Sequence, residues 1–276
     1  MYIILNFSKL KNKKYITIIL LFLSFHNYSQ SNSKAFNESL IISINQDSIS
    51  AYAFIAKGAA PKETVILLHG LPGNEKNIDL AEKLRQDGKN VIYFNYRGSW
   101  GSQGQFLYSN CLEDISKVID YLTNDIISKK LRIKKNSFCL LGHSLGGGIA
   151  VLHGVKDNRV KKIIALSAFN AGYELNNDSF DELKSFQNYL NKQFMLNIDT
   201  KKFISEVLNH YISWNLLFVN SYQFDKRLIF IDENKNNYSW VKSIKNSEYL
   251  IIDSDHSFSD MRNELAIEVL KWINKN

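Results

Sequence analysis

Proline and cysteine each occur only twice in the 276 residues. A chain so poor in proline, with 45% hydrophobic residues, is not a low-complexity or extensively disordered one, and a packed core is expected. Two cysteines, Cys111 and Cys139, cannot build a disulfide framework, and nothing around them has zinc-ligand spacing. Cys139 lies in the apolar run SFCLLG, so both are expected as buried free thiols. Acidic residues are missing from positions 1–30, which hold Lys9, Lys11, Lys13 and Lys14. Without that stretch the formal charge of +7 falls to +3, with 30 basic residues against 27 acidic. That balance is too mild for a nucleic-acid partner. A long hydrophobic run is also missing. The apolar stretch Tyr15 to Phe25 behind those lysines has the length of a signal-peptide core and is short for a membrane span. Polar residues follow from Ser29 to Ser33. The expectation is a secretory signal over 1–30, cleaved near Ser29 to Ser31. The product would be periplasmic or secreted, with no stable membrane association after cleavage. An uncleaved N-terminal anchor is the alternative.

What is present is a rhythm. LIISINQDSISAYAFIAK (40–57) suggests two strands around a turn near Asn45 to Asp47. TVILLHG (64–70), NVIYFNYRG (90–98), SFCLLGHS (137–144) and KKIIALSAF (161–169) read as buried strands. NIDLAEKLRQDG (77–88), CLEDISKVIDYLTNDII (111–127) and LGGGIAVLHGV (145–155) read as the helices between them. Continuous apolar strands alternating with helices imply a mostly parallel α/β sheet covered on both faces. The rhythm stops from about 170 to 226, where helical and aromatic-rich segments suggest an insertion over the sheet. It resumes with RLIFI (227–231) and SEYLIIDSD (247–255), and the amphipathic segment 260–274 closes the chain. One domain over 39–276 is expected.

Between the third buried strand and its helix stands Gly142-His143-Ser144-Leu145-Gly146, a G-x-S-x-G with the strand–turn–helix context that such a nucleophile elbow needs. A sharp turn there exposes the Ser144 hydroxyl, and the N–H of Leu145 at the helix start can stabilise an oxyanion. The loop LLHGLPGNEKN follows the first buried strand and offers a second donor, the N–H of Leu71. Of six histidines, His256 in IIDSDHSFSD alone sits late in the chain at a strand end, where a base for Ser144 belongs. His69 is expected to brace its loop and His143 to point away from the catalytic face.

HGLPGNEKN, YFNYRGSWGSQG, GHSLGG and DHSFSD follow one another in the order and spacing of the α/β-hydrolase superfamily, which the chain resembles over nearly all of residues 39–276. The resemblance implies an eight-stranded, mostly parallel sheet, a helical lid and a Ser–His–acid triad. Its esterase-like and peptidase-like branches carry a similar YRG loop. The acid departs from the pattern, because RLIFIDENKNN puts Asn236 where aspartate is common. Asp232 at the strand end is taken as the acid, with Glu233 next. Asp255 reads as a loop brace, and Asp178 and Asp181 are more remote alternatives.

Arg97 reads as a tie between loops rather than a carboxylate binder. The aromatics Phe180, Phe186, Tyr189, Phe194, Tyr211, Trp214 and Phe218 could line an acyl pocket or pack the insertion down. The function that follows is serine-based hydrolysis of a small-molecule substrate, a carboxylic ester before an amide, through an acyl-enzyme and without metal or organic cofactor. Two alternatives stand beside it: a prolyl-oligopeptidase-like peptidase, for which no propeller fits before residue 60, and a non-catalytic binding protein on a hydrolase scaffold.

Overall fold

A computed structural model describes residues 33–275. The signal expected over 1–30 lies outside them. Strand β1 (Phe36–Ile44) turns inward Leu40, Ile42 and Ile44, and returns through Asn45 at φ 55° into β2 (Asp47–Ile55). This hairpin is antiparallel, and β2 also lies antiparallel on β4 (Asn90–Phe94). From β4 onward every pairing is parallel, through β3 (Lys62–Leu68), β5 (Ile133–His143), β6 (Val160–Leu166), β7 (Arg227–Asp232) and β8 (Ser247–Ile251). The eight strands run in the order β1-β2-β4-β3-β5-β6-β7-β8, the mostly parallel sheet that the apolar runs led one to expect.

Side-chain alternation splits the core in two. Leu140, Ile163, Ala165 and Phe230 face helices α2 (Tyr108–Thr123) and α4 (Leu145–Gly154). Cys139, Leu141, Ile164 and Ile231 face α1 (Ile78–Gln86) and α9 (Arg262–Asn274). The helix expected over 111–127 is broken: the Asn124 side chain accepts from the N–H groups of Ile126 and Ile127, at 3.0 and 3.4 Å, and starts the short α3 (Asp125–Lys130). Between β6 and β7 lie α5 (Ala171–Asn177), α6 (Phe180–Asn191), α7 (Thr200–Asn209) and a 3-10 turn, Leu216–Ser221. A four-residue helix, α8 (Tyr238–Val241), follows β7. The helical insertion is tied near its middle to the YRGSWGSQG loop. Leu196 bridges antiparallel to Ser99, Trp100 N–H donates to Met195 O at 2.9 Å, and Asn197 N–H donates to Gly98 O at 2.7 Å. Trp214 docks the rest, its ring 4.6 Å from Tyr108 and 4.5 Å from His210. Among the described residues no helix is long and apolar enough to cross a membrane.

Candidate active site

β5 ends at His143 and α4 begins at Leu145, leaving Ser144 at the corner with φ 55° and ψ −120°. This is a backbone conformation that side-chain-bearing residues rarely adopt, so the surroundings must hold it. The Ser144 N–H donates to Leu166 O at 2.9 Å, and its carbonyl accepts from Gly147, Gly148 and Phe169. The flanking glycines make the turn possible. A Cβ at Gly142 would come within 2.0 Å of Gly146 O, and one at Gly146 within 2.2 Å of Leu68 O.

The HG loop closes on the corner, with Gly70 against the Ser144 side chain. Buried His69 braces this loop by donating from Nδ1 to Gly70 O at 2.8 Å. Burial pushes its ring down to about 4, so it is neutral at neutral pH. The N–H groups of Leu71 and Leu145 donate to no acceptor among the described residues. Leu71 lines a pocket of about 140 Å³ together with Gly70, His143, Ser144 and His256.

His256 follows β8 and presents Nδ1 3.2 Å from Glu233 Oε1. Asp232, the acid expected from the sequence, makes no hydrogen bond or ion pair with His256 among the described residues. Asp232 is the last residue of β7, and consecutive strand residues point to opposite sides. Its carboxyl is 1% exposed, accepts from Asn237 Nδ2 at 3.4 Å on Oδ1, and leaves Oδ2 without a hydrogen bond. Glu233, one position on and one methylene longer, meets the ring instead. Burial works against the Glu233 charge, but the hydrogen bond from His256 outweighs it and the carboxyl is held down at about 2. Asn236 lines the cleft, its N–H turned to Asn234 Oδ1 at 2.7 Å. Asp255 accepts from Ser257 and Ser259 N–H at 3.0 and 2.8 Å and so shapes the His256 loop. Asp178 follows the last residue of α5 and Asp181 lies in the first turn of α6, and neither pairs with His256.

His143 also departs from expectation. It does not point away: Nε2 donates to the His256 carbonyl at 2.7 Å, and the two rings lie 4.9 Å apart. Burial pushes the His143 ring down to about 4, which keeps it neutral at neutral pH. Ser167, at φ 44°, donates from Oγ to the same carbonyl at 3.4 Å. Sequence reasoning missed both residues. The signal for His143 was its place between Gly142 and Ser144, and for Ser167 its place at the end of β6.

Ser144 and His256 also share a cleft of about 500 Å³, lined by Phe169, Tyr173, Glu174, Asn236 and Trp240 among others. No hydrogen bond joins Ser144 Oγ to His256 among the described residues. None of the seven insertion aromatics lines this cleft or the smaller pocket. Phe194 and Phe180 are 93% and 78% exposed, whereas Trp214 is buried at the base of the insertion. Arg97 is a structural tie: its Nε bonds Asp114 Oδ1 at 2.5 Å and Nη2 bonds Glu113 at 2.6 Å. No group of three or more His, Cys, Asp or Glu among the described residues could hold a metal ion.

The alpha/beta hydrolase fold family matches residues 63–275. Two Escherichia coli proteins, each described as an uncharacterized 31.7 kDa protein in the traX-finO intergenic region, are 32% identical over 146 residues, 50% of this chain and 49% of theirs. The chain thus spans about half the length of the curated relatives it matches. Among solved structures, Est1E from Butyrivibrio proteoclasticus superposes with a TM-score of 0.65 at 14% identity, over 85% of this chain and 97% of its own. The Pyrococcus furiosus esterase Pf2001 gives 0.62 at 16% identity, over 87% and 92%. The strand order, the elbow at Ser144 and the family match over 63–275 converge, and the chain belongs to the alpha/beta hydrolase fold family.

Proposed function

We propose that the protein is an exported serine hydrolase that cleaves carboxylic esters. The observation that carries this reading is the corner at Ser144. A strained serine opens on the same cleft as a histidine whose far nitrogen is 3.2 Å from a carboxylate. Ser144 Oγ attacks the ester carbonyl while His256 Nε2 takes its proton. The carbonyl oxygen gains the negative charge and is held by the N–H groups of Leu71 and Leu145. Collapse expels the alcohol, which receives the proton back from His256, and leaves Ser144 acylated. Water, deprotonated by His256, repeats the sequence and releases the acid. Glu233 fixes the imidazole tautomer and stabilises the imidazolium. The likeness to the Pyrococcus furiosus esterase Pf2001 supports the ester over the amide, and export rests on residues 1–30 alone.

Two measurements test this. A fluorophosphonate should label wild type and not Ser144→Ala. Hydrolysis of p-nitrophenyl esters from acetate to decanoate should fall by at least ~10³-fold in Ser144→Ala and in His256→Ala. An unlabelled wild type, no faster than Ser144→Ala on every ester, sinks the proposal in favour of a binding role. Recovery of the native protein in the cytoplasm with residues 1–30 intact refutes export.

A further inference from the structure

The cleft beside Ser144 contains a charge that nothing in the described residues answers. Glu174, on α5, is half-buried and lines the cleft with Ser144 and His256. Its carboxylate makes no hydrogen bond or ion pair among the described residues. The cleft lining contains no lysine and no arginine, and the other carboxylate there, Glu233, is engaged by His256. Burial, and then the nearby Asp178, raise the Glu174 carboxyl above its usual range. A partly desolvated charge with no partner is costly to the folded chain, and such groups gather where a ligand supplies the missing partner. The neighbouring surfaces suit the same ligand. The amide groups of Asn234 and Asn236 line the same cleft and carry oxygens that accept hydrogen bonds, and the exposed ring of Tyr173 borders it.

We infer that Glu174 makes this cleft a subsite for a cationic group of the substrate, an alkylammonium or guanidinium carried a few bonds from the scissile ester. The inference rests on the serine-hydrolase reading for the chemistry but not for the binding. It names a substrate class that neither a plain alkyl ester nor a neutral polyol ester satisfies.

The test is a pair of probes of one shape and different charge, acetylcholine and 3,3-dimethylbutyl acetate. Wild type should prefer the cationic ester by roughly tenfold in kcat/KM, the scale of one partly screened charge contact. In Glu174→Gln, which keeps the shape and one acceptor, that preference should fall towards unity, with folding checked by thermal melting. In parallel, calorimetry should show butyltrimethylammonium binding to wild type roughly tenfold more tightly than to Glu174→Gln. Equal kcat/KM for the two esters in wild type, a preference unchanged in Glu174→Gln, or equal tetraalkylammonium binding by both proteins overturns the cation subsite. Fluorophosphonate labelling keeps the two readings apart. An unlabelled Ser144 with Glu174-dependent ammonium binding refutes the hydrolase and supports the subsite.

Discussion

At the scale of single residues the decisive pair is Asp232 and Glu233. Their side chains leave the end of β7 in opposite directions, one into the protein and one to His256. Glu233→Gln should therefore lower kcat by ~10²–10⁴-fold on p-nitrophenyl acetate, while Asp232→Asn should leave it within a few-fold of wild type. The reverse ranking would return the acid to Asp232. Stability should separate the two differently. Burial pushes Asp232 up to about 6, so between its ordinary value near 4 and about 6 the folded protein keeps a proton that the unfolded chain has lost. Stability from this group falls as pH rises through that window, by roughly 3 kcal/mol at most. Asp232→Asn removes the titration, so its melting temperature should exceed that of wild type at pH 8 and approach it at pH 4. His143 acts through the His256 carbonyl. His143→Phe should cost about ten- to a hundredfold in kcat with little change in KM, and His143→Gln, which can still donate, should recover part of it. Ser144 and His256 were legible in the sequence because an elbow and a late strand-end histidine are local patterns. The choice between Asp232 and Glu233 was not, because it turns on where β7 ends, and a boundary shifted by one residue exchanges the two faces.

At the scale of elements, strands and core helices were readable because runs such as Val65–Leu68 and Ile163–Leu166 are buried on both faces. The helical insertion was readable as helix but not as a surface. Amphipathic spacing identifies an apolar stripe without saying what covers it, so it does not distinguish exposed Phe180 and Phe194 from Tyr173, Glu174 and the loop after β7, which line the cleft. The residue that does anchor the insertion is Trp214, between Tyr108 and His210. Trp214→Ala should cost ~3–5 kcal/mol and make residues 170–226 the first site of limited proteolysis. An unaltered cleavage pattern would show that the insertion is held elsewhere.

At the scale of the whole molecule, the sheet keeps the two thiols apart. Cys111 packs with the α2–α4 core and Cys139 with the α1–α9 core, and burial raises both well above their usual range. No disulfide can form without unfolding, so an oxidising compartment should leave both free. A thiol reagent such as dithionitrobenzoate should find neither cysteine in the native protein and both in denaturant. Rapid native labelling would contradict the packing of one core or the other.

The bridge at Leu196 sets how the region over the cleft can move. A flap hinged only at its two ends would lift as one piece, sweeping a long arc away from the sheet. Riveted at its midpoint to the loop that carries Ser99 and Trp100, this one is held against such a sweep. The part before the rivet, with Tyr173 and Glu174, is in turn pinned to the part after it, since Gly172 N–H donates to Trp214 O at 3.3 Å and Leu216 N–H to Asn170 Oδ1 at 2.9 Å, so any shift of the cleft wall must pull on the mooring of the insertion.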